Sequence, residues 1–157
     1  MIHFDNVSKI YADDSVALSG VTLTVEPKEF VSIVGHSGAG KTTLLKMILA
    51  EEKPTAGSVF FESVYIRLLK KWQMNSLRRR IGTVFQDFRL LPNRTSYENI
   101  AFAMEAAGRT DEEIESDVPH VLELVGLGKK IWSFPHELSG GEKQRVAIAR
   151  ALMNKPN

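Results

Sequence analysis

The sequence has 157 residues, of which 43% are hydrophobic and 25% charged, the composition of an ordinary globular domain rather than a disordered chain. A net charge of +1 lacks the basic excess of a typical nucleic-acid binder, and the absence of cysteine excludes disulfides and thiolate metal sites. No apolar run approaches the roughly 18 residues that span a bilayer, and the first residues do not form a signal peptide. We therefore expect any membrane association to depend on a partner.

The first 61 residues predict a region rich in β-strands. Apolar and polar residues alternate over 2–7 and 21–25, which indicates antiparallel strands with one solvated face. The apolar run 30–34 predicts a buried parallel strand, and residues 42–49 predict a helix. A turn at 54–57 then leads to a short strand at 58–61.

Between the strand at 30–34 and the helix at 42–49 lies a sequence that fits the P-loop pattern G-x-x-x-x-G-K-[ST]. Its glycines let backbone N–H groups approach a phosphate, and the helix N-terminus favours the anion. Lys41 supplies a positive charge to the β- and γ-phosphates, and the Thr42 hydroxyl is placed to ligate Mg²⁺. We therefore predict that a nucleoside triphosphate and Mg²⁺ bind at Gly35, His36, Ser37, Gly38, Ala39, Gly40, Lys41, Thr42 and Thr43.

The middle of the chain changes from strand to helix periodicity. Ser76 is a candidate cap for a short helix ending at Arg80, and 81–85 predicts a second apolar strand. Gln86 and Asp87 follow that strand, which makes them candidates for the same site. Residues 96–107 then predict one helix, and Thr110 to Glu113 form a capping box that opens a second, with a kink expected at Pro119.

A second glycine motif, Leu138-Ser139-Gly140-Gly141-Glu142-Lys143-Gln144-Arg145, precedes an apolar helical run at 146–152. Ser139 is placed as an N-cap with Glu142 as its capping-box partner, and the two glycines leave amides bare at a helix N-terminus. This predicts a second anion site. The segment resembles the signature motif of the ABC-type ATPases.

The resemblance to ABC ATPases extends over the whole chain, with the P-loop, the Q-loop at Gln86 and the signature as its most specific parts. It implies an α/β P-loop NTPase fold with an N-terminal antiparallel β region and an α-helical subdomain. The implied divisions are a β subdomain with the P-loop core at 1–86, a helical subdomain at 87–136, and the signature with its helix at 137–157. The implied activity is hydrolysis of ATP to ADP and phosphate.

The same resemblance implies roles for individual residues. Two subunits face head to tail in a homodimer that sandwiches ATP, with Ser139 and Gly141 of one subunit closing on the γ-phosphate held by Lys41 of the other. Gly140 and Glu142 of the same motif are also implied to be nucleotide-binding residues. Tyr11 matches the aromatic that stacks on adenine; alternatively, it packs against its own turn. Gln86 matches the catalytic glutamine that contacts Mg²⁺ and the attacking water; alternatively, it is a solvated strand end.

Within the ABC ATPases, residues 86–99 look most like the FtsE family of bacterial cell division. This likeness implies a transmembrane partner of the FtsX type and a peripheral location on the cytoplasmic face of the cell membrane, with no direct contact to nucleic acid. Residues 88–92 form an apolar segment suited to a partner's helix. An equal alternative is that Phe88 and Leu90 fill the core of the helical subdomain.

Some positions depart from the family pattern. Lys28 and Ala50 stand where the family usually has glycine, and Ser63 and Tyr65 replace a usual Gly-x-Asp, all in predicted turns. The family continues after Asn157 with parallel strands that carry the Walker B aspartate and a catalytic glutamate. We therefore expect these 157 residues alone to be an incomplete domain with negligible ATP hydrolysis.

Two other functions fit the same motifs. The ATPase of an importer or exporter has the same motifs and differs only in its permease. In this sequence, only the segment after Gln86 distinguishes such an ATPase from a cell-division protein. A soluble ABC protein acting on nucleic acid or ribosomes is the alternative from another class. The roughly one hundred residues between the two motifs leave no room for the long coiled coils of chromosome-type members.

Overall fold

The computed structural model describes residues 1–153. Its backbone divides into two compact units, one formed by Met1–Leu77 and the other by the chain from Arg78 onward. The first unit carries the P-loop, and the second carries Gln86 and the signature motif. Among residues 1–153, no helix combines the length and the apolar character needed to cross a membrane.

The first unit contains a four-stranded antiparallel sheet, in the order β2-β1-β3-β4. Phe4 on the central strand lies opposite Leu23 on one side and Val59 on the other. The sheet confirms the predicted N-terminal antiparallel region and the predicted strand near 58–61. The strands are β1 (Ile2–Ile10), β2 (Val16–Val25), β3 (Ala56–Phe61) and β4 (Val64–Tyr65).

The P-loop helix, α1 (Lys41–Ile48), packs against β3. Its buried side chains include Leu44 and Met47, which join Phe4, Val7 and Val59 in the interior of this unit. Burying side chains of this size stabilises a fold by about 1.5 to 3 kcal/mol each. These contacts hold α1 in place in the core. The C-terminal end of the preceding loop is therefore fixed as well.

The predicted buried strand at 30–34 is wrong for this structure. Residues 29–36 have no strand, helix or turn assignment, and Phe30 and Val34 are 94% and 89% exposed. A strand forms only when a neighbouring strand accepts its hydrogen bonds, and within residues 1–153 no strand pairs with this run. The apolar, β-branched composition of residues 30–34 therefore indicated a propensity for strand, but it could not show whether a neighbouring strand would pair with them.

Two predictions near the unit boundary also need correction. Helix α2 runs from Lys71 to Arg79, so it begins well before Ser76 and ends one residue before Arg80. The Gln73 side chain accepts the backbone N–H of Lys70 at 2.9 Å, which secures the first turn. Residues 81–85 form no strand, for the same reason that applies to 30–34.

The second unit is a helical domain with one apolar core. It confirms the predicted helices: α3 (Ser96–Ala106), α4 (Asp111–Leu124) and α5 (Gly140–Leu152). Capping boxes open α3 at Thr95 and α4 at Thr110, each cap contributing about 1 kcal/mol. Helix α4 continues through Pro119, and its kink remains a prediction. The most buried core side chains are Ile100, Met104, Val118, Leu122, Leu127, Val146 and Ala149.

Two of the positions where glycine is usual adopt the backbone conformation that glycine favours. Lys28 has a φ of 67° and Ala50 a φ of 54°, both in the left-handed region. A side chain in this region costs about 1 to 2 kcal/mol. Lys28 and Ala50 therefore carry backbone strain in these turns.

Candidate functional site

The loop before α1 is built on glycines with positive φ. Gly38 has a φ of 83° and Gly40, the N-cap of α1, a φ of 81°. A Cβ on Gly40 would overlap the Ala17 carbonyl oxygen and lie 2.8 Å from the Leu18 side chain. Gly40 is thus required both by its conformation and by the close approach of β2, whereas a Cβ on Gly38 would meet open space.

Lys41 turns back over this loop. Its Nζ donates hydrogen bonds to the carbonyl oxygens of Gly35 at 2.8 Å and His36 at 2.7 Å. The His36 ring nitrogen lies 2.7 Å from the Ser37 carbonyl oxygen, and the Ala39 N–H donates to the His36 carbonyl. These bonds close the loop on itself and hold the ammonium group beside the start of α1.

The N-terminus of α1 has an electrostatic character that favours an anion. It has no acidic residue in its first turn and no side-chain cap, whereas α3, α4 and α5 are capped by Thr95, Thr110 and Ser139. Its first N–H groups therefore remain available, and the helix dipole adds about half a positive charge. Together with Lys41, this arrangement can hold a phosphate group.

Tyr11 lies at the start of α1 rather than only against its own turn. Its hydroxyl is 3.2 Å from the Thr43 hydroxyl, and the Lys9 ammonium lies 5.1 Å from the centre of its ring. Thr43 is buried and Tyr11 half-buried. The structure therefore brings this ring to the P-loop helix, and its stacking on adenine remains a prediction.

The signature motif forms the N-terminus of α5, as the sequence predicted. The Ser139 hydroxyl accepts the Glu142 N–H at 3.3 Å, and the Glu142 carboxylate accepts the Ser139 N–H at 2.7 Å. That backbone hydrogen bond, followed by the Ser139 hydroxyl, holds the pKa of Glu142 below its usual value. Gly140 and Gly141 are exposed, and a Cβ on Gly140 would meet no neighbour. The glycines therefore leave this helix end open to an approaching group.

Gln86 lies in an exposed turn at 86–89, in the second unit. The first unit thus brings together Tyr11, Thr43 and the loop of Lys41, while the second holds Gln86 and the signature residues. Thr42 is exposed in the first turn of α1. The roles of these residues toward a nucleotide remain predictions.

Sequence reasoning missed two residues that shape the segment after Gln86. Asn99 is fully buried; its side-chain oxygen accepts the Leu91 N–H at 2.7 Å, and its amide donates to the carbonyls of Leu91, Arg94 and Thr95. Arg150 donates to the carbonyls of Phe88 and Arg89, both at 2.7 Å. Its partners are 61 and 62 residues away in sequence, so no local pattern indicated these bonds.

Comparison with known proteins shows which family the chain belongs to. The sequence profile described as ABC transporter matches residues 18–157. The chain is 47% identical over 157 residues to the cell division ATP-binding protein FtsE of Bacillus subtilis, covering 100% of this chain and 69% of the relative. It is 48% identical over 156 residues to FtsE of Escherichia coli strain K12, covering 99% and 70%.

A solved structure also matches closely. The ATP-binding cassette MJ0796, in a dimeric post-hydrolysis state bound to ADP and Pi, superposes with a TM-score of 0.90 at 37% identity, covering 99% of this chain and 71% of that chain. The fold and the P-loop define a nucleotide-binding ATPase domain of mixed α/β architecture. The chain belongs to the ABC transporter family.

Proposed function

We propose that this chain is the ATP-binding subunit of a membrane-associated complex in bacterial cell division. The observation that carries the proposal is identity of 47% and 48% over essentially the whole chain to proteins named cell division ATP-binding protein FtsE. The subunit couples ATP binding and hydrolysis to a transmembrane partner of the FtsX type. It is peripheral, on the cytoplasmic face of the cell membrane.

In this proposal the P-loop holds the triphosphate. Lys41 exchanges its bonds to the Gly35 and His36 carbonyls for bonds to the β- and γ-phosphates, whose negative charge binds an ammonium more strongly than a neutral carbonyl does. Backbone N–H groups of 38–43 surround the phosphates, and Tyr11 stacks on the adenine. Tyr11 already lies at the first turn of α1, which supports this assignment.

The residues present fit a Mg²⁺ ion that is held mainly by phosphate oxygens and water. Thr42 offers an exposed hydroxyl next to Lys41, and within residues 1–153 no group of three His, Cys, Asp or Glu side chains could form a protein cage. Mg²⁺ supplies charge neutralisation to the phosphates when bound. Gln86 is the second proposed contact, and it orients the water that attacks the γ-phosphate.

The signature residues serve the site of a second copy in this proposal. The N–H groups of Gly140 and Gly141 and the Ser139 hydroxyl lie at an exposed helix end that can approach a phosphate of another subunit. Each subunit of the homodimer thus contributes one half of two ATP sites. The dimeric state of the MJ0796 cassette supports this arrangement.

The proposed contact with the membrane partner is the segment 88–92. Leu90 packs against the helical core and is not free for a partner, as one of the two sequence alternatives stated. Phe88 and Leu91 are half-buried, and Pro92 is exposed, so these three residues supply the apolar surface for a partner's cytoplasmic helix.

A second candidate function is the ATPase of an ABC importer or exporter. The family description, ABC transporter, favours it because the P-loop and the signature are common to both roles. The two proposals differ in the partner and in the work that ATP drives.

Deletion of the gene in its bacterial host separates the two. The cell-division role predicts elongated, undivided cells that recover with the wild-type gene and not with Lys41→Ala. Lys46→Ala, on the same helix but at its far end, is the matched control and should restore division. Normal division together with loss of uptake or export of a small molecule would instead support the transport role.

A further inference from the structure

Arg150 joins two parts of the second unit that carry different motifs. It lies in the last turn of α5, the helix that begins at the signature residues Ser139 and Gly140. Its two terminal nitrogens donate to the carbonyl oxygens of Phe88 and Arg89, which follow Gln86 in the same turn. One rigid helix, about 15 Å long between Gly140 and Arg150, thus links the signature to the turn of Gln86.

The backbone that Arg150 holds is strained. Phe88 has a φ of 58° and Arg89 a φ of 44°, so two consecutive residues with side chains occupy the left-handed region. Such a conformation persists only where the surroundings impose it. Local support comes from the Arg89 N–H, which donates to the Asp87 carbonyl at 2.7 Å, and from the Arg89 guanidinium, 3.9 Å from the centre of the Phe85 ring.

The geometry of the Arg150 contact is suited to imposing this conformation. A guanidinium presents its donors in a fixed plane, so it can bind two neighbouring carbonyls at once, and the charge strengthens both bonds. The side chain is half-buried, and the adjacent helix positions Val146 and Ala149 are fully buried in the core. The buried neighbours therefore restrict the Arg150 side chain, so it has little freedom to rotate toward other acceptors.

We propose that Arg150 is a positioning residue that makes the turn carrying Gln86 follow the helix of the signature motif. When the signature of one subunit closes on the ATP of another, α5 shifts, and the bonds from Arg150 transmit the shift to the backbone of 88 and 89. This inference rests on the proposed function, because it assumes that Gln86 orients water and that the signature closes on a second subunit.

The experiment compares Arg150→Met and Arg150→Lys with the wild type in the intact ATPase, together with its partner if activity requires it. Methionine keeps the length of the side chain and removes every donor, whereas lysine restores one charge that can reach one carbonyl at a time. Arg79→Met is the matched control, because Arg79 also donates to a backbone carbonyl, that of Ala106 at 3.4 Å, but is exposed.

Three experiments are needed: ATP binding for the Kd, steady-state hydrolysis for kcat and KM, and hydrogen exchange at individual amides. For Arg150→Met we expect an ATP Kd close to that of the wild type, a fall in kcat of about tenfold or more, and exchange at the Phe88 and Arg89 amides roughly tenfold faster. Exchange in the middle of α5 should not change. Arg150→Lys should lie between the two, and Arg79→Met should match the wild type.

The possible outcomes distinguish the proposed role of Arg150 from the proposed ATPase function. Unchanged kcat and unchanged exchange at 88 and 89 in Arg150→Met would overturn the inference, as would equal loss of protection along the whole of α5, which indicates a general structural role. If Arg150→Met does not fold, Arg150→Lys decides, since a lysine variant with wild-type kcat and wild-type exchange contradicts the inference. Failure of the wild type to hydrolyse ATP would instead contradict the proposed function, while the exchange measurement still tests Arg150.

Discussion

The hydroxyl of Tyr11, the residue after β1, lies 3.2 Å from the hydroxyl of Thr43, in the first turn of the P-loop helix. This contact brings the aromatic ring that follows the first strand of the sheet to the helix N-terminus that we propose holds phosphate. An adenine and a triphosphate belong to one molecule, so their binding groups must lie close together. Tyr11 and Thr43 are 32 positions apart in sequence, and this contact places them side by side.

Variants of Tyr11 separate the ring from its hydroxyl. Tyr11→Phe removes the bond to Thr43 but keeps the ring, so we expect the Kd for ATP to rise only about twofold. Tyr11→Ala removes the stacking surface and should raise the Kd roughly tenfold, because base stacking on an aromatic contributes about 1 to 3 kcal/mol. Equilibrium binding of a fluorescent ATP analogue measures both values. Equal effects of the two variants would show that the hydroxyl, and not the ring, matters.

The two loop glycines should differ in their tolerance of alanine. Gly40→Ala introduces a Cβ that overlaps the Ala17 carbonyl, so we expect the free energy of unfolding to fall by about 2 kcal/mol or more. Gly38→Ala meets open space and should lose only about 1 kcal/mol, from the left-handed conformation alone. Denaturant unfolding of both variants provides the comparison, and equal losses would contradict the packing argument.

Glycine substitutions at Lys28 and Ala50 should stabilise the protein. Replacing either one by glycine removes the cost of a left-handed side chain and adds the entropy of glycine in the unfolded chain. The net change should be a gain of about 0.5 to 1 kcal/mol in the free energy of unfolding. Thr24→Gly, in β2 with no positive φ, is the control and should lose stability. A loss in Lys28→Gly as well would mean that its turn is not strained.

Local signals in the sequence predicted much of the fold, whereas pairing over long distances was not predictable. The capping boxes at Thr110 and Ser139 were found because their partners lie three residues away. The same pattern at Thr95 and Glu98 was present and was missed. The runs 30–34 and 81–85 have strand composition, but a strand also needs a neighbour, which composition does not supply.

In the candidate site, too, features set by adjacent residues were predictable and contacts between distant residues were not. The P-loop and signature are contiguous motifs, so their backbone geometry follows from a few adjacent residues. The bonds from Arg150 to the turn after Gln86, and from Tyr11 to Thr43, join distant parts of the chain and depend on how the helices and strands pack. Only the structure could provide them.

The capping box of α3 predicts a dependence of stability on acid pH. The Thr95 N–H donates to the Glu98 carboxylate at 2.7 Å, and this bond holds the pKa of Glu98 below its ordinary value of 4.5. Because the folded-state pKa is the lower one, the stabilisation is fully present above pH 4.5 and is lost as the pH falls through the folded-state value.

Glu98→Gln keeps an acceptor for the Thr95 N–H but does not titrate. Its stability should therefore change less than that of the wild type as the pH falls from about 5 to about 3. Thermal unfolding across this range measures the difference, and Glu98→Ala, which lacks the acceptor, should be less stable than Glu98→Gln. Identical acid dependence in Glu98→Gln and wild type would show that another group controls it.

In the proposed homodimer, each ATP site is shared between two copies of the chain. Lys41→Ala removes the lysine of the P-loop, and Ser139→Ala removes the hydroxyl of the signature, so each variant alone should hydrolyse ATP at a small fraction of the wild-type rate. A mixed dimer of the two has one complete site, formed by the intact P-loop of one subunit and the intact signature of the other.

The measurement is the ATPase rate of the two variants mixed in equal amounts, in the intact protein with its partner. Random pairing makes half of the dimers mixed, each with one complete site of two, so the mixture should recover roughly a quarter of the wild-type rate. A mixture with no more activity than the average of the separate variants would contradict the shared site.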